Sequence, residues 1–435
     1  MGKIYEKNIG YSILKPIVNS NLRFSYRRLE IQGEENIPED GVVILAPNHT
    51  NTLMDALVIL KANKGITVFG ARADMFKRAF IAKLMHFIRI LPMVRQRDGL
   101  RNVLKNYETT EIIVETLENG ATFCMFPEGR HRPAHSLLPL GKGVFRAALA
   151  ANTKIGNKKP VYIVPAGIEY GDYFRYRNSV LITFGKAINV SDFVSNSDTD
   201  NEAQIMDRLK KQLIEGMSEL ITYIPDDEDL NNKWTLIKIL SADAKRQGKG
   251  KRRLSDRLLE SRRLAKEIEN NVEFCPETTS FILERCSQFD ALRRALKISW
   301  HSLGKKNLTA SIIVSMLMGA IGLPYFLFSA VAVLPLWATA MFLRGKIKDR
   351  AFHNTATFGV KLGGSIIWGL ILTPLAFCMM PWWAAAAFLA LTVPAYSYFH
   401  DYLEGWRRTI SDIRLTRHPE ISKSFNHIIE EYKSL

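Results

Sequence analysis

The hydrophobic positions form two patterns along the chain. From residue 41 to about 190, short apolar runs alternate with longer segments whose apolar residues recur at helical spacing. This alternation is typical of an α/β domain with a mainly parallel sheet covered by helices on both faces. The predicted strands are the runs at 42–46, 66–70, 89–94, 121–126, 161–166 and 180–184. The clearest predicted helices occupy 100–117, a segment that begins near Lys142, and 201–222.

The second pattern is a concentration of apolar residues after residue 307. The run Asn307–Leu343 would form one helix of about 55 Å, against a hydrocarbon core of about 30 Å. A break at Pro324 is therefore predicted, and basic residues on both flanks place both ends of this hairpin in the cytoplasm. A second run, Leu362–Phe399, is interrupted at Pro381 and predicts another hairpin. About four transmembrane helices are expected, one of which could be re-entrant.

These patterns divide the chain into five predicted segments. An amphipathic N-terminal arm occupies residues 1–30, and it fits either an interfacial helix pair or a helix packed on the domain. The α/β domain covers 31–225. A basic linker with two amphipathic helices covers 226–306. The membrane domain covers 307–400, and a cytoplasmic tail covers 401–435.

Charge and cysteine content narrow the choice of partners. The net charge of +16 predicts an anionic partner, which is a phospholipid surface, a phosphorylated substrate or nucleic acid. The sequence has no recognised nucleic-acid motif and no interleaving of basic and aromatic residues, so nucleic acid is not expected. Cys124, Cys275, Cys286 and Cys378 lack paired spacing and a histidine cluster. This pattern predicts no metal site. It also predicts that the four cysteines are small buried side chains of a protein in a reducing compartment.

The first polar block lies where a predicted strand meets a predicted helix. The run Val42–Leu45 ends at Pro47, and Asn48 and His49 follow before the next helix. Ligands of open α/β sheets bind at such strand ends. Asp55 offers a carboxylate that would fix the tautomer of the imidazole. On one continuous helix the two side chains would lie about 120° apart, so the turn must bring them together.

Three further blocks also lie at strand ends. The strand at 89–94 delivers Arg95, whose planar guanidinium suits a bidentate contact with phosphate. The strand at 161–166 contains Val164 and Pro165, and Lys142 before a predicted helix is a further phosphate candidate. The strand at 121–126 leads into a glycine turn dense in charge, which consists of Glu128, Gly129, Arg130, His131 and Arg132.

In this order and spacing, the four blocks resemble the phospholipid/glycerol acyltransferase family over about residues 30–190. The resemblance implies a general base at His49, oriented by Asp55, that acts on an acceptor hydroxyl. It implies transfer of a fatty acyl chain from coenzyme A or acyl carrier protein to glycerol 3-phosphate or 1-acylglycerol 3-phosphate in membrane phospholipid synthesis. Neither a cofactor nor a nucleophilic serine or cysteine is required. The implied acceptor site consists of Asn48, Arg95, Glu128, Gly129, Arg130, His131, Arg132 and Lys142.

Two departures from the family pattern qualify this resemblance. Five residues separate His49 from Asp55, one more than in the commonest first motif. This spacing is similar to the fungal glycerol-3-phosphate and dihydroxyacetone-phosphate acyltransferases, which also carry membrane spans after the catalytic domain. His131 stands where the family usually has arginine, so the choice of the phosphate-binding cation among residues 130–132 stays open.

Two alternatives remain at this stage. The acceptor hydroxyl could belong to a lyso-aminolipid or another hydroxylated lipid, because the His49 chemistry serves any alcohol. A non-enzymatic transporter with a cytoplasmic regulatory domain would also explain the spans, although these are expected to lack the buried ionisable residues of an ion pathway. The predicted location is an integral membrane protein with its catalytic domain on the cytoplasmic face.

Overall fold

The computed structural model describes residues 3–93, 101–197 and 201–435, apart from the side chains of residues 101–107. Contacts divide the chain into two compact units, Met1–Ile221 and Thr222–Leu435. Each unit has an apolar core of its own.

The first unit is built on a sheet that has eight strands in the described residues. The order is β1-β7-β6-β2-β5-β3-β4, with β8 beside β6. All pairs are parallel except β6–β7 and β6–β8. The mainly parallel sheet is confirmed. The strands are β1 (Arg28–Gln32), β2 (Val42–Pro47), β3 (Thr67–Arg72), β4 (Ile90–Met93), β5 (Thr122–Cys124), β6 (Val161–Tyr170), β7 (Ser179–Phe184) and β8 (Ile188–Asn189).

Each of the six predicted strands is present, with ends shifted by a few residues. Two strands, β1 and β8, were not predicted. They are short and partly polar, so they have no continuous apolar run, and their conformation is fixed by pairing with β7 and β6.

Helices cover the sheet of the first unit. They are α1 (Ile9–Ser25), α2 (Leu53–Ala62), α3 (Ala79–Phe87), α4 (Arg101–Glu118), α5 (Gly143–Ile155), α6 (Val190–Ser195) and α7 (Glu202–Ser218). The three predicted helices correspond to α4, α5 and α7. Val42, Ile44 and Ala46, alternate residues of β2, pack with these three helices in one apolar cluster. Helix α2 contacts β7 and α1. The N-terminal arm contains one helix, α1, in its described residues. The predicted pair of interfacial helices is therefore not found there.

The position of β2 decides where the functional loops meet. Every residue of β2 is buried, and the strand lies between β5 and β6, with which it runs parallel. Its last residue, Pro47, pairs with Ala166 of β6, and Leu45 pairs with Cys124 at the end of β5. The loops that follow β2 and β5 therefore begin side by side in the middle of the sheet.

The second unit is helical in its described residues. Its helices are α8 (Leu230–Arg246), α9 (Leu254–Phe274), α10 (Pro276–Ala295), α11 (Trp300–Leu303), α12 (Leu308–Lys346), α13 (Phe352–Gly359), α14 (Ser365–Met379), α15 (Trp382–Arg417) and α16 (Pro419–Lys433). The predicted linker, 226–306, contains the helices α8 to α11. Helices α8, α9, α10 and α16 bury their apolar stripes against one another, with Ile282, Phe289 and Phe425 in the shared core. This packing supplies the surface that the amphipathic stripes require.

The first predicted hairpin is not found, because α12 continues from Leu308 to Lys346 through Pro324 and Pro335. Proline removes a backbone hydrogen bond, and neighbouring side chains supply donors to carbonyl groups of this helix. The hydroxyl of Tyr402 donates to the carbonyl of Gly319, and the indole of Trp368 donates to the carbonyl of Ala332. The prediction that both ends of this run share one side of a membrane loses its basis.

The second apolar run is divided where predicted, between α14, which ends at Met379, and α15, which begins at Trp382. Among the described residues, two helical segments are long and apolar enough to cross a membrane, Leu308–Lys346 and Phe352–Met379. The number of crossings stays a prediction. The second segment contains a π-helical turn, Val360–Gly364, in which Lys361 is buried. Lys361 lies one residue before the predicted run Leu362–Phe399, so the helical segment found here includes a buried ionisable residue that the predicted span did not.

All four cysteines are free thiols, but only two of them are buried. Cys124 and Cys286 lie in the apolar cores, whereas Cys275 and Cys378 are exposed. The prediction of four buried side chains is therefore wrong for the latter two, because Cys275 lies between α9 and α10 and Cys378 lies on an apolar helix that packs only partly against its neighbours.

Candidate functional site

His49 lies in the loop between β2 and α2, at the carboxyl end of the central strand. Its Nδ1 atom lies 2.8 Å from Oδ2 of Asp55, in the first turn of α2. The turn thus brings together the two side chains that a straight helix would separate. Because the carboxylate oxygen is an acceptor, Nδ1 carries the proton, and Nε2 is the nitrogen with a free lone pair.

Asp55 is fully buried, and hydrogen bonds hold its carboxylate in place. Oδ2 accepts from the backbone N–H groups of Thr50 and Asn51, at 2.8 and 2.7 Å. In the same loop Thr52 adopts a positive φ of 48°, an uncommon conformation for a residue other than glycine. Functional sites often hold such strain.

Tyr170 completes this carboxylate site and was not predicted from the sequence. Its hydroxyl donates to Oδ1 of Asp55 at 2.8 Å, from the last residue of β6. Burial is the main cause that raises the pKa of Tyr170 well above its usual value, with the charge of Asp55 adding to it, so the phenol keeps its proton and remains a donor. The two residues are 115 positions apart, and only the sheet brings them together.

Glu128 joins the loop after β5 to the loop after β2. Its Oε1 accepts from the backbone N–H of His49 at 2.8 Å, and its Oε2 accepts from the backbone N–H of Leu138 at 2.9 Å. The side chain is buried. Both carboxylate oxygens therefore bind the backbone of this protein, and Glu128 fixes the position of His49.

Asn48 has a similar role on the opposite side of the loop. Its Oδ1 accepts from the backbone N–H of Ile168 at 2.7 Å, and its Nδ2 donates to the carbonyl of Ile168 at 3.2 Å. Asn48 is buried and uses both ends of its amide to tie the loop to β6. Glu128 and Asn48 together hold the backbone that leads into His49.

Aromatic rings surround the imidazole of His49. The ring of Phe126 stacks on it, with centroids 4.2 Å apart, and the ring of His131 meets it edge-on at 5.8 Å. The backbone N–H of Arg132 donates to the carbonyl of His49 at 3.0 Å. The glycine turn is possible because Gly129 adopts a left-handed φ of 64°. The charged turn after β5 therefore folds directly over His49.

The remaining predicted residues are placed as follows. Gly129 and Arg130 are exposed, and His131 and Arg132 are half-buried. Lys142 is exposed at the position that precedes α5. Arg95 lies outside the described residues. In the part of the chain that the structure describes, no group of three or more histidine, cysteine, aspartate or glutamate residues could hold a metal ion.

The burial of Glu128 predicts a pH dependence of stability. Burial raises the pKa of this carboxyl from its usual value near 4.5 to about 7, and its two backbone hydrogen bonds only partly offset this effect. Between these values the folded state binds more protons than the unfolded state, so its contribution to stability is lost as pH rises through this window. Glu128→Gln cannot titrate. The unfolding free energy of the wild type relative to Glu128→Gln should therefore fall from about pH 4.5 to about pH 7.

Urea unfolding at a series of pH values measures this difference. The fraction of unfolded first unit is read from its cleavage by a protease. Parallel pH profiles for the two proteins would mean that Glu128 titrates as an ordinary surface carboxyl.

Comparison with known proteins finds a family model that matches the segment around this site. Residues 28–169, which include His49, Asp55 and the charged turn, match the family model described as Acyltransferase. The chain is 20% identical to glycerol-3-phosphate O-acyltransferase 2 of Saccharomyces cerevisiae, in an alignment that covers 51% of this chain and 43% of the yeast protein. The chain thus matches less than half the length of that relative.

A solved structure also matches part of the chain. The 1-acyl-sn-glycerophosphate acyltransferase PlsC from Thermotoga maritima aligns with 48% of this chain and 79% of its own, at 19% identity and a TM-score of 0.35. The family match and the contacts around His49, rather than this structural similarity, support the interpretation of the site. The match to the Acyltransferase family model covers residues 28–169, about a third of the chain.

Proposed function

We propose that this chain is a membrane acyltransferase that moves a fatty acyl group from an acyl thioester to a hydroxyl of glycerol 3-phosphate or 1-acylglycerol 3-phosphate. The acyl carrier is coenzyme A or acyl carrier protein. The observation that carries the proposal is the pair of His49 and Asp55 at 2.8 Å within the family domain. The apolar helices of the second unit support a location at the membrane, and the cytoplasmic face remains our prediction for the domain.

The proposed reaction needs one base and no protein nucleophile. Nε2 of His49 takes the proton of the acceptor hydroxyl while its oxygen attacks the thioester carbonyl. Asp55 stabilises the imidazolium that forms. When the tetrahedral intermediate collapses, the carbon–sulfur bond breaks and the imidazolium returns the proton to the thiolate. The products are an ester and a free thiol, and His49 is restored.

The contacts of Asn48 and Glu128 change the roles that we assign to them. The resemblance to acyltransferases implies that they bind substrate, but their polar atoms bind backbone groups of Ile168, His49 and Leu138. We assign both as positioning residues for His49. Arg95, Arg130, His131, Arg132 and Lys142 remain the candidates for the acceptor phosphate.

The proposal is tested with purified full-length protein in lipid vesicles. The vesicles receive an acyl thioester and a panel of acceptors, namely glycerol 3-phosphate, 1-acylglycerol 3-phosphate, a lyso-aminolipid and a simple alcohol. Mass spectrometry identifies the acylated products, and His49→Ala is the matched blank. We expect acylation of a glycerol phosphate. A product only from the lyso-aminolipid would move the proposal to that class, and no product above the blank would refute it.

The phosphate site makes its own prediction. Replacement of Arg95, Arg130 or Arg132 by alanine should raise the acceptor KM and leave the thioester KM nearly unchanged. This result is expected when the contact between the arginine and the phosphate is equally strong in the ground state and in the transition state. Lysine should restore binding only in part, because it keeps the charge but loses the bidentate geometry. An unchanged acceptor KM together with a raised thioester KM would assign the arginine to the phosphates of coenzyme A.

Tyr170 should contribute to kcat through Asp55. Tyr170→Phe removes one hydrogen bond to a charged group, which is worth about 1.5–3 kcal/mol, so we expect kcat to fall on the order of ten-fold with little change in either KM. Steady-state kinetics separates these quantities. Tyr162→Phe is the matched control, because Tyr162 lies at the other end of β6 and bonds Asp40 there. An equal loss in both variants would indicate a general effect on the strand.

A further inference from the structure

Helix α3 has an unusual combination of composition and exposure. Its sequence, AFIAKLMHF, is mostly apolar, yet none of its nine residues is buried. A helix that is apolar on most of its surface is normally found in a protein core or in lipid. Phe80, Leu84 and Phe87 are 77%, 46% and 36% exposed, and Met75 just before the helix is 47% exposed.

Helix α1 carries a second exposed apolar stripe. Ile9, Ile13 and Ile17 recur every four residues and therefore share one face, and Phe24 continues it. Their exposed fractions are 83%, 62%, 43% and 41%. The opposite face is buried in the first unit through Tyr11, Val18, Leu22 and Ser25. Helix α1 is thus fixed to the domain by one side and presents an exposed apolar side.

Two contacts join these stripes into one surface. A Cβ atom on Gly10 of α1 would lie only 3.3 Å from the ring of Phe87 at the end of α3, so glycine permits close packing there. The guanidinium of Arg89, two residues after α3, lies 4.4 Å from the ring of Tyr11 and donates to the carbonyl of Glu6. The exposed apolar residues of α1 and α3, together with Met75, are called the docking face below.

The charges around the docking face indicate its partner. The sequences of α1 and α3 contain no acidic residue. Arg23, Lys77, Arg78 and Lys83 are exposed on or beside these helices. Asp74, the acidic residue nearest in sequence to α3, is bonded to Arg72. An apolar face with a basic margin is the pattern of helices that lie in an anionic membrane surface. In a two-fold dimer through this face, the cations of both copies would meet and repel one another.

We propose that the docking face of α1 and α3 inserts into the surface of an anionic phospholipid bilayer. This contact is additional to the apolar helices of the second unit, and it does not depend on the chemistry at His49. Lys15 of α1 donates to the carbonyls of Asn63 and Gly65 at the end of α2, the helix that carries Asp55. Insertion of the docking face therefore holds α2, and with it the His49 loop that precedes α2, at a fixed position relative to the lipid surface.

The test measures lipid contact residue by residue in the full-length protein, because the second unit anchors the chain in any case. The four native cysteines are replaced, and single cysteines are introduced as Ile13→Cys, Leu84→Cys and the control Lys211→Cys. Lys211 is exposed on α7, outside the docking face, and α7 packs in one apolar cluster with Val42, Ile44 and Ala46 of β2. Each cysteine carries an NBD fluorophore, and the vesicles contain phosphatidylglycerol and a nitroxide-labelled phospholipid.

We expect blue-shifted emission and nitroxide quenching at positions 13 and 84, and neither change at position 211. Lys77→Glu combined with Lys83→Glu should weaken quenching at position 84 in phosphatidylglycerol vesicles more than in phosphatidylcholine vesicles. Unquenched, water-like emission at positions 13 and 84 would overturn the proposal. A blue shift without nitroxide quenching would also overturn it, because protein rather than lipid would then cover the face.

Discussion

His49→Ala should abolish acyl transfer while the protein remains folded and bound to vesicles. The substitution removes the only group that we assign to proton transfer, and general base catalysis contributes on the order of 10²–10⁴ in rate. The imidazole is anchored to Asp55, and the loop around it is held through the backbone by Glu128. These backbone contacts do not require the side chain of residue 49. Initial rates at saturating thioester and acceptor measure the effect.

The control for this variant is His427→Ala, which changes an exposed histidine on α16. It should keep the wild-type rate. Vesicle binding and thermal unfolding of both variants establish that the fold is intact. A His49→Ala protein with more than about a tenth of the wild-type rate would exclude this residue as the general base.

Asp55→Asn should lower kcat on the order of 10²-fold or more with little loss of structure. The amide oxygen can occupy the place of Oδ2 and keep the three contacts with Thr50, Asn51 and His49. The amide nitrogen then faces the hydroxyl of Tyr170, which can accept a hydrogen bond instead of donating one. What is lost is the negative charge that stabilises the imidazolium.

Asparagine is a sharper test than alanine at this position. Asp55→Ala would leave two buried backbone N–H groups unpaired, at a cost of about 1–3 kcal/mol each, and would mix a folding defect with the catalytic one. Asp40→Asn is the matched control, because Asp40 is exposed near the amino end of β2. A normal kcat for Asp55→Asn would show that the charge of this residue does not contribute to catalysis.

Local sequence patterns were sufficient for most of the fold of the first unit. The apolar runs that became β2 and β6 are buried on both faces, so each reads as a continuous hydrophobic segment whatever its neighbours are. Helices α4, α5 and α7 were predictable for a similar reason, since their spacing of apolar residues is a local property. The edge strand β1 has no such pattern and exists through its pairing with β7.

The course of the apolar helices and the surface exposure were less predictable. Pro324 indicated a break, but α12 continues through it, and side chains from other helices donate to the carbonyl groups of Gly319 and Ala332. An apolar segment such as α3 can be a core helix or an exposed one. Only the packed structure shows that no residue of α3 is buried.

The sequence by itself determined the residue types of the candidate site and the strand ends on which they lie. His49 and Asp55 are close along the chain, so one turn suffices to bring them together. Tertiary structure decided the rest. Tyr170 reaches Asp55 across 115 positions, and Glu128 reaches the backbone of His49 across 79. Contacts at such separations depend on strand order, which brings the ends of β2, β5 and β6 together and which no local pattern encodes.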